Sequence, residues 1–181
     1  MHFFSFLLLI YLENPARMEN ESDANIQYAA LIDSMQKEFG EEYPEYYSGA
    51  YINGFGDLVV KIDKNKYNED VVEDIREITG NNEILTAPAD YSYNTLLNTL
   101  DTINKLHSDC FMPDCAFEDE LSDFLKSIVS VSTDEKRNKI VVKVQNAEKA
   151  DINVLKKYVD IECIVVENGG TALLALGCSI W

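Results

Sequence analysis

The segments Leu58-Val59-Val60-Lys61-Ile62 and Ile140-Val141-Val142-Lys143-Val144 are nearly the same strand written twice in a chain of 181 residues. Such a duplication constrains the fold more than composition does, because one local pattern must find the same surroundings twice. Each copy follows a short strand-like piece, Gly49-Ala50-Tyr51-Ile52 in one case and Ile128-Val129-Ser130-Val131 in the other. Polar turns, Asn53 to Asp57 and Thr133 to Lys139, join the pieces with β-hairpin chemistry.

A helical pattern follows each hairpin. Val71, Val72, Ile75 and Ile78 share one face behind an Asn68 cap, and Ile152, Leu155 and Val159 share another behind Asn146. A third strand comes next, Glu83-Ile84-Leu85-Thr86 in the first unit and Ile161 to Val166 in the second. The fold class expected is α+β, with two ββαβ units, each a three-stranded antiparallel sheet covered by one helix. Helices join the units: Tyr93, Leu96, Leu97, Leu100 and Ile103 recur behind a Ser92 cap, then Phe117, Leu121, Phe124, Leu125 and Ile128, with Met112-Pro113 between them. Upstream, Tyr28, Leu31, Ile32, Met35 and Phe39 form an N-terminal amphipathic helix behind Ser22 or Asp23, ended by Gly40. The domain reading is a leader over 1–17, the N-terminal helix and first ββαβ unit over 18–110, a second ββαβ unit over 111–168 and a terminal stub over 169–181.

The leader admits two readings. Residues 3–12 are an apolar run of signal-peptide length, too short to span a bilayer, with no Lys or Arg before it and Asn14-Pro15-Ala16 as its nearest cleavage-like site. A degenerate signal or retained anchor is one reading, and an overextended start with Met18 as the true first residue is the other. Membrane contact is expected only if residues 3–12 are a retained anchor. The location is secreted or cell-surface in the first case and cytoplasmic in the second.

Charge and residue scarcity narrow the function. Fifteen Lys and Arg face 32 Asp and Glu, a net charge of −17, with a pI near 4.3. Such a surface repels phosphate backbones, so nucleic acid is not an expected partner, and a basic protein is its natural complement. There are only two histidines, His2 and His107, and no serine-protease, P-loop, dinucleotide or H-E-x-x-H motif, so neither catalytic residues nor a cofactor are expected. His107, Cys110 and Cys115 invite a zinc reading but give only three ligands at an incomplete spacing. Cys110, Cys115, Cys163 and Cys178 fit two disulfides or none, with Cys163 in an apolar strand pattern that suits a buried thiol. Acidic runs such as Glu118-Asp119-Glu120 fail the EF-hand template and read as a solvated face. The tyrosines Tyr43, Tyr46, Tyr47 and Tyr51 suit either a binding platform or, preferably, the lid of a small core.

The order of several segments carries a resemblance. Tyr43-Pro44-Glu45-Tyr46-Tyr47-Ser48-Gly49-Ala50-Tyr51-Ile52-Asn53, Gly56 to Val60, Tyr91-Ser92-Tyr93-Asn94-x-Leu96 and Asp134-Glu135-Lys136-x-Asn138-x-Ile140-Val141-Val142 appear in that order. Over Ala29 to Gly170 the chain resembles the amino-terminal pro-region of bacterial chymotrypsin-like serine proteases, the alpha-lytic protease and streptogrisin group, in the version that precedes trypsin-like domains in Firmicutes. The resemblance implies a non-catalytic folding assistant and inhibitor whose partner is a trypsin-like protease domain. It implies that the C-terminal sheet packs on a hairpin of the protease and that the following linker enters the substrate cleft. The partner-binding residues implied are Ile140, Val142, Val144, Ile164, Val166, Glu167, Asn168, Gly169 and Gly170. Beyond Val166 the chain runs only to Trp181, so the catalytic domain of that family is missing and a truncated or stand-alone pro-region is expected. The alternatives are an acidic interaction or regulatory module with a basic partner and, last, a zinc-binding protein.

Overall fold

In the computed structural model, residues 15–40 and 42–169 are described. They divide into two compact units at Asn94 and Thr95. The sequence reading draws its line at 110/111, whereas this division places most of the helix that follows Ser92 with the second unit.

The first unit opens with α1 (Pro15–Phe39). It starts well before the expected Ser22 or Asp23 cap, and a proline at the first helical position has no N–H to leave unpaired. The buried face is Ala24, Leu31 and Met35, while Tyr28 and Phe39 of the expected stripe are exposed. The chain turns at Gly40 in the left-handed region, φ 74°, and enters β1 (Tyr47–Ile52), which pairs antiparallel with β2 (Leu58–Asp63). Asn53 builds the hairpin loop: its side chain accepts from the N–H groups of Phe55 and Asp57 at 2.8 and 3.0 Å. A bulge between Tyr47 and Ala50 holds Gly49 at φ 104°, which favours glycine.

Next comes α2 (Glu69–Thr79). Asn68 caps it as expected, accepting from Val71 N–H at 3.0 Å, and Gly80 closes it at φ 63°. Val72 and Ile75 drop into the core with Leu31, Met35, Tyr47, Leu58, Val60, Ile62 and Ile84. The strand β3 (Leu85–Ala89) begins two residues later than expected and lies beside β2. It runs parallel to β2, not antiparallel. A helix crossing between adjacent strands returns the chain to its starting end, so the third strand must point the same way as the second.

The second unit repeats this order of strands. It contains most of α3 (Tyr93–Asp109), which buries Leu96, Thr99, Ile103 and Leu106, and α4 (Asp119–Ser127), which buries Leu121, Phe124 and Leu125. The chain passes directly from α4 into β4 (Ile128–Asp134), which pairs antiparallel with β5 (Lys139–Val144). In the turn, Asp134 accepts from Arg137 N–H at 2.8 Å and Asn138 takes φ 54°. The last strand, β6 (Ile164–Asn168), again runs parallel to the middle one. Thus β2 and β5, which carry the duplicated sequence, are the central strands of two sheets with the same order and directions.

The crossover in this unit departs from expectation. Among the described residues no α-helix follows Asn146; two short 3-10 turns, Ile152–Leu155 and Ile161–Cys163, take its place, and the second replaces the start of the expected third strand. Of the expected apolar face Leu155 is fully buried, as is Cys163 of the expected strand, while Ile152 and Val159 are only half-buried.

Candidate partner-binding surface

Alternation along β5 separates two faces of the second sheet. Ile140, Val142 and Val144 are fully buried against the unit's own core. Register places Ile164 and Val166 of β6 and Val131 and Thr133 of β4 on the same side. Five of the residues implied as partner-binding therefore have their side chains on the inner face of the sheet, and of their two strands only β6 leaves backbone unpaired within it, along its outer edge. In the order β4-β5-β6 the edge strands are β4 and β6.

The outer face carries Ser130, Ser132 and Asp134 on β4, Lys139, Val141 and Lys143 on β5, and Val165 and Glu167 on β6. Arg137 reaches across it. Its guanidinium donates from Nε to Asp134 Oδ2 and from Nη1 to Glu167 Oε1, both at 2.7 Å, tying the first strand to the third. Burial pushes the Asp134 carboxyl up, but the bonds from the Arg137 backbone and guanidinium outweigh it and hold the carboxyl below its ordinary range. Val141 lies on this face yet is buried. Sequence reading missed Arg137; the signal available was a cation inside the hairpin turn, one residue before a left-handed asparagine.

The end of β6 is fixed by polar contacts. Asn168 Oδ1 accepts from Ala147 N–H at 2.7 Å, and Gly169 N–H donates to the Val144 carbonyl at 2.8 Å. Gly170 lies outside the described residues, as do residues 3–12 of the leader, Met18's side chain, Cys178 and the rest of the stub. Among the described residues no helix is long and apolar enough to cross a membrane.

In the first unit the segments that carry the resemblance meet. Asn94 clamps the backbone of Tyr43: its Oδ1 accepts from Tyr43 N–H at 3.1 Å and its Nδ2 donates to the Tyr43 carbonyl at 2.7 Å. The rings of Tyr43 and Tyr47 stack at 5.2 Å, and Tyr93 meets both edge-on at 4.9 and 5.4 Å. Tyr47 is fully buried. Burial and then the nearby carboxylates Asp74 and Glu38 push the Tyr46 phenol up. These tyrosines pack as a core lid.

His107 packs edge-on against Phe111, the Cys110 thiol donates to the His107 carbonyl at 3.1 Å, and Cys110, Cys115 and Cys163 are free thiols. Among the described residues no three His, Cys, Asp or Glu side chains are grouped to hold a metal. Beside α4 a cavity of about 510 Å³ has Phe124 and Val154 in its wall, with Glu120, Asp123, Asp151 and Lys149 around it.

Residues 14–89 match the model of a family described as a Pro-like N-terminal domain. Those limits bracket α1 through β3, the complete helix and sheet set of the first unit. The match is consistent with a pro-region, and a domain of this kind is non-catalytic in general. No curated protein matches the chain.

Proposed function

We propose that this chain is the pro-region of a trypsin-like serine protease, acting on that protease as folding assistant and inhibitor. The observation that carries this reading is the family match over α1 to β3, joined to a second unit with the same strand order. The second unit would supply the grip. An edge strand, β4 or β6, would extend its sheet onto a strand of the protease, where backbone hydrogen bonds give affinity without any particular side chain. The segment from Glu167 onward would continue into the substrate cleft.

The test uses the purified full chain at micromolar concentration against the trypsin-like protease encoded nearest to it. Inhibition, or faster refolding of the denatured protease, is expected. The absence of both effects would overturn the reading. A second reading, an acidic module for a basic protein, is favoured by the charge of −17 and by the carboxylates around the α4 cavity. It predicts capture of a basic protein that is not a protease, with binding that weakens as salt is added.

A further inference from the structure

The turns that follow α3 bring two thiols into one loop. Cys110 is rooted at the helix end: its N–H donates to the Leu106 carbonyl at 3.0 Å, and its thiol donates to the His107 carbonyl at 3.1 Å. Phe111 is held by its ring against His107, and Met112 N–H returns to the Asp109 carbonyl at 3.1 Å. The chain then reverses. Cys115 N–H donates to the Met112 carbonyl at 3.1 Å and closes a turn whose second residue is Pro113, with its φ fixed near the value that position takes in the common turns. Cys110 and Cys115 therefore bound a short, internally bonded loop whose apolar residues, Phe111 and Met112, are 61% and 57% exposed.

The two sulfurs differ in what can reach them. Cys110 is buried and Cys115 is half-buried. Burial first, and then the neighbouring Cys115 sulfur, push the Cys110 thiol up, so the two groups act on each other within one site. Cys163 stands apart, with its thiol on the Asp160 carbonyl at 3.0 Å and near Thr99 Oγ1 at 3.7 Å.

We propose that Cys110 and Cys115 are a dithiol site that a low-molecular-weight disulfide oxidises to a reversible bridge across the loop, with Cys115 the entry sulfur and Cys110 the resolving one. Cys115, as thiolate, attacks one sulfur of the small disulfide, breaks its S–S bond and releases one thiolate, leaving a mixed disulfide. Cys110 then gives up its proton to water, and with it the bond to the His107 carbonyl, and its sulfur attacks that of Cys115. The Cys110–Cys115 bond forms and the second small thiolate leaves. Each released thiolate takes up a proton, so two cysteine thiols are oxidised and one disulfide is reduced to two thiols. No protease and no basic partner enters these steps, so the site stands apart from both functional readings.

The test exposes the reduced full chain, folded and in urea, to mixtures of oxidised and reduced glutathione, blocks the remaining thiols by alkylation in mild acid, and digests with trypsin. Cleavage after Lys105 and Lys126 puts Cys110 and Cys115 in one peptide, whereas Cys163 and Cys178 lie beyond Lys157. From the folded chain, peptide 106–126 should emerge two hydrogens lighter and unalkylated, at a glutathione mixture about tenfold more reducing than the unfolded chain tolerates. Samples taken early should carry glutathione on Cys115. A peptide that stays alkylated at both cysteines, that stops at the mixed disulfide, or that pairs no more readily folded than unfolded would overturn the site. Glutathione appearing first on Cys110 would overturn the assignment of entry and resolving sulfur.

Discussion

At the residue scale, two polar side chains join elements that sequence spacing alone keeps apart. Asn94 satisfies both the N–H and the carbonyl of Tyr43, 51 positions earlier, and so seats the tyrosine cluster. Asn94→Ala leaves two part-buried backbone groups without that partner, and we expect it to lower unfolding free energy by about 1–3 kcal/mol in urea titration. A loss below about 0.5 kcal/mol would show that water replaces the amide at no cost. Asp134 gives a pH test with a definite sign. Its carboxyl is held below the ordinary value of 3.8 in the folded protein. A carboxyl of lower pKa in the folded than in the unfolded chain adds stability above that ordinary value and loses it as pH falls through the folded one. Stability of the natural chain should therefore drop more steeply below about pH 4 than that of Asp134→Asn, the two curves converging in stronger acid. Parallel curves across that range would remove Arg137–Asp134 from the acid response.

At the element scale, the two crossovers differ because their polar residues do. In α2 one asparagine caps and the apolar face then runs uninterrupted to Ile78, which is why the helix was legible. After β5, three Asx side chains take nearby backbone N–H groups in turn: Asn146 from Glu148 at 3.1 Å, Asp151 from Asn153 at 2.9 Å and Asp160 from Glu162 at 3.0 Å. Each is a local turn that competes with helix, and a periodicity reading of Ile152, Leu155 and Val159 cannot see that competition. Both hairpins were legible because strand alternation and turn residues are local. The parallel direction of β3 and β6 was not read, although connection rules imply it once strand, crossover and strand are adjacent. β3 also runs on through Pro88, which reads as a strand breaker but is tolerated on an edge strand. Of the implied partner residues, the strands were legible, and the inward direction of Ile140, Val142 and Val144 follows from alternation; the bulge at Val129 beside them is announced by no local pattern. Despite the different crossovers, each places a fully buried aliphatic residue in its core, Ile75 in the helix and Leu155 in the first 3-10 turn. Ile75→Ala and Leu155→Ala should each cost about 2–5 kcal/mol by urea unfolding. A much smaller cost for Leu155→Ala would mean that the turn, lacking a helix, collapses onto the cavity.

At the scale of the whole molecule, charge acts in opposite senses on folding and on binding. Ion pairs are present on the surface, among them Lys64–Asp90, Lys66–Glu45 and Lys105–Asp109, but their partners are largely exposed and each adds little. Against them stands a net charge of −17 on 181 residues, whose mutual repulsion opposes the compact state. Salt screens both, and the unbalanced repulsion is the larger quantity here because acidic residues outnumber basic ones by about two to one. The thermal midpoint should therefore rise as sodium chloride increases from about 0.01 to 0.5 M, a range over which the screening length falls from about 30 Å to a few ångströms. Binding to a basic partner should weaken over the same range, whereas a grip made by strand edges and a cleft-bound segment should change little, since backbone pairing carries no net charge. Calorimetry and inhibition measured across one salt series thus separate the two functional readings in a single protein sample. A midpoint that falls with salt would mean that the surface pairs outweigh the repulsion, and would place the stabilising charge in contacts such as Arg137 with Asp134 and Glu167 instead of in the overall balance.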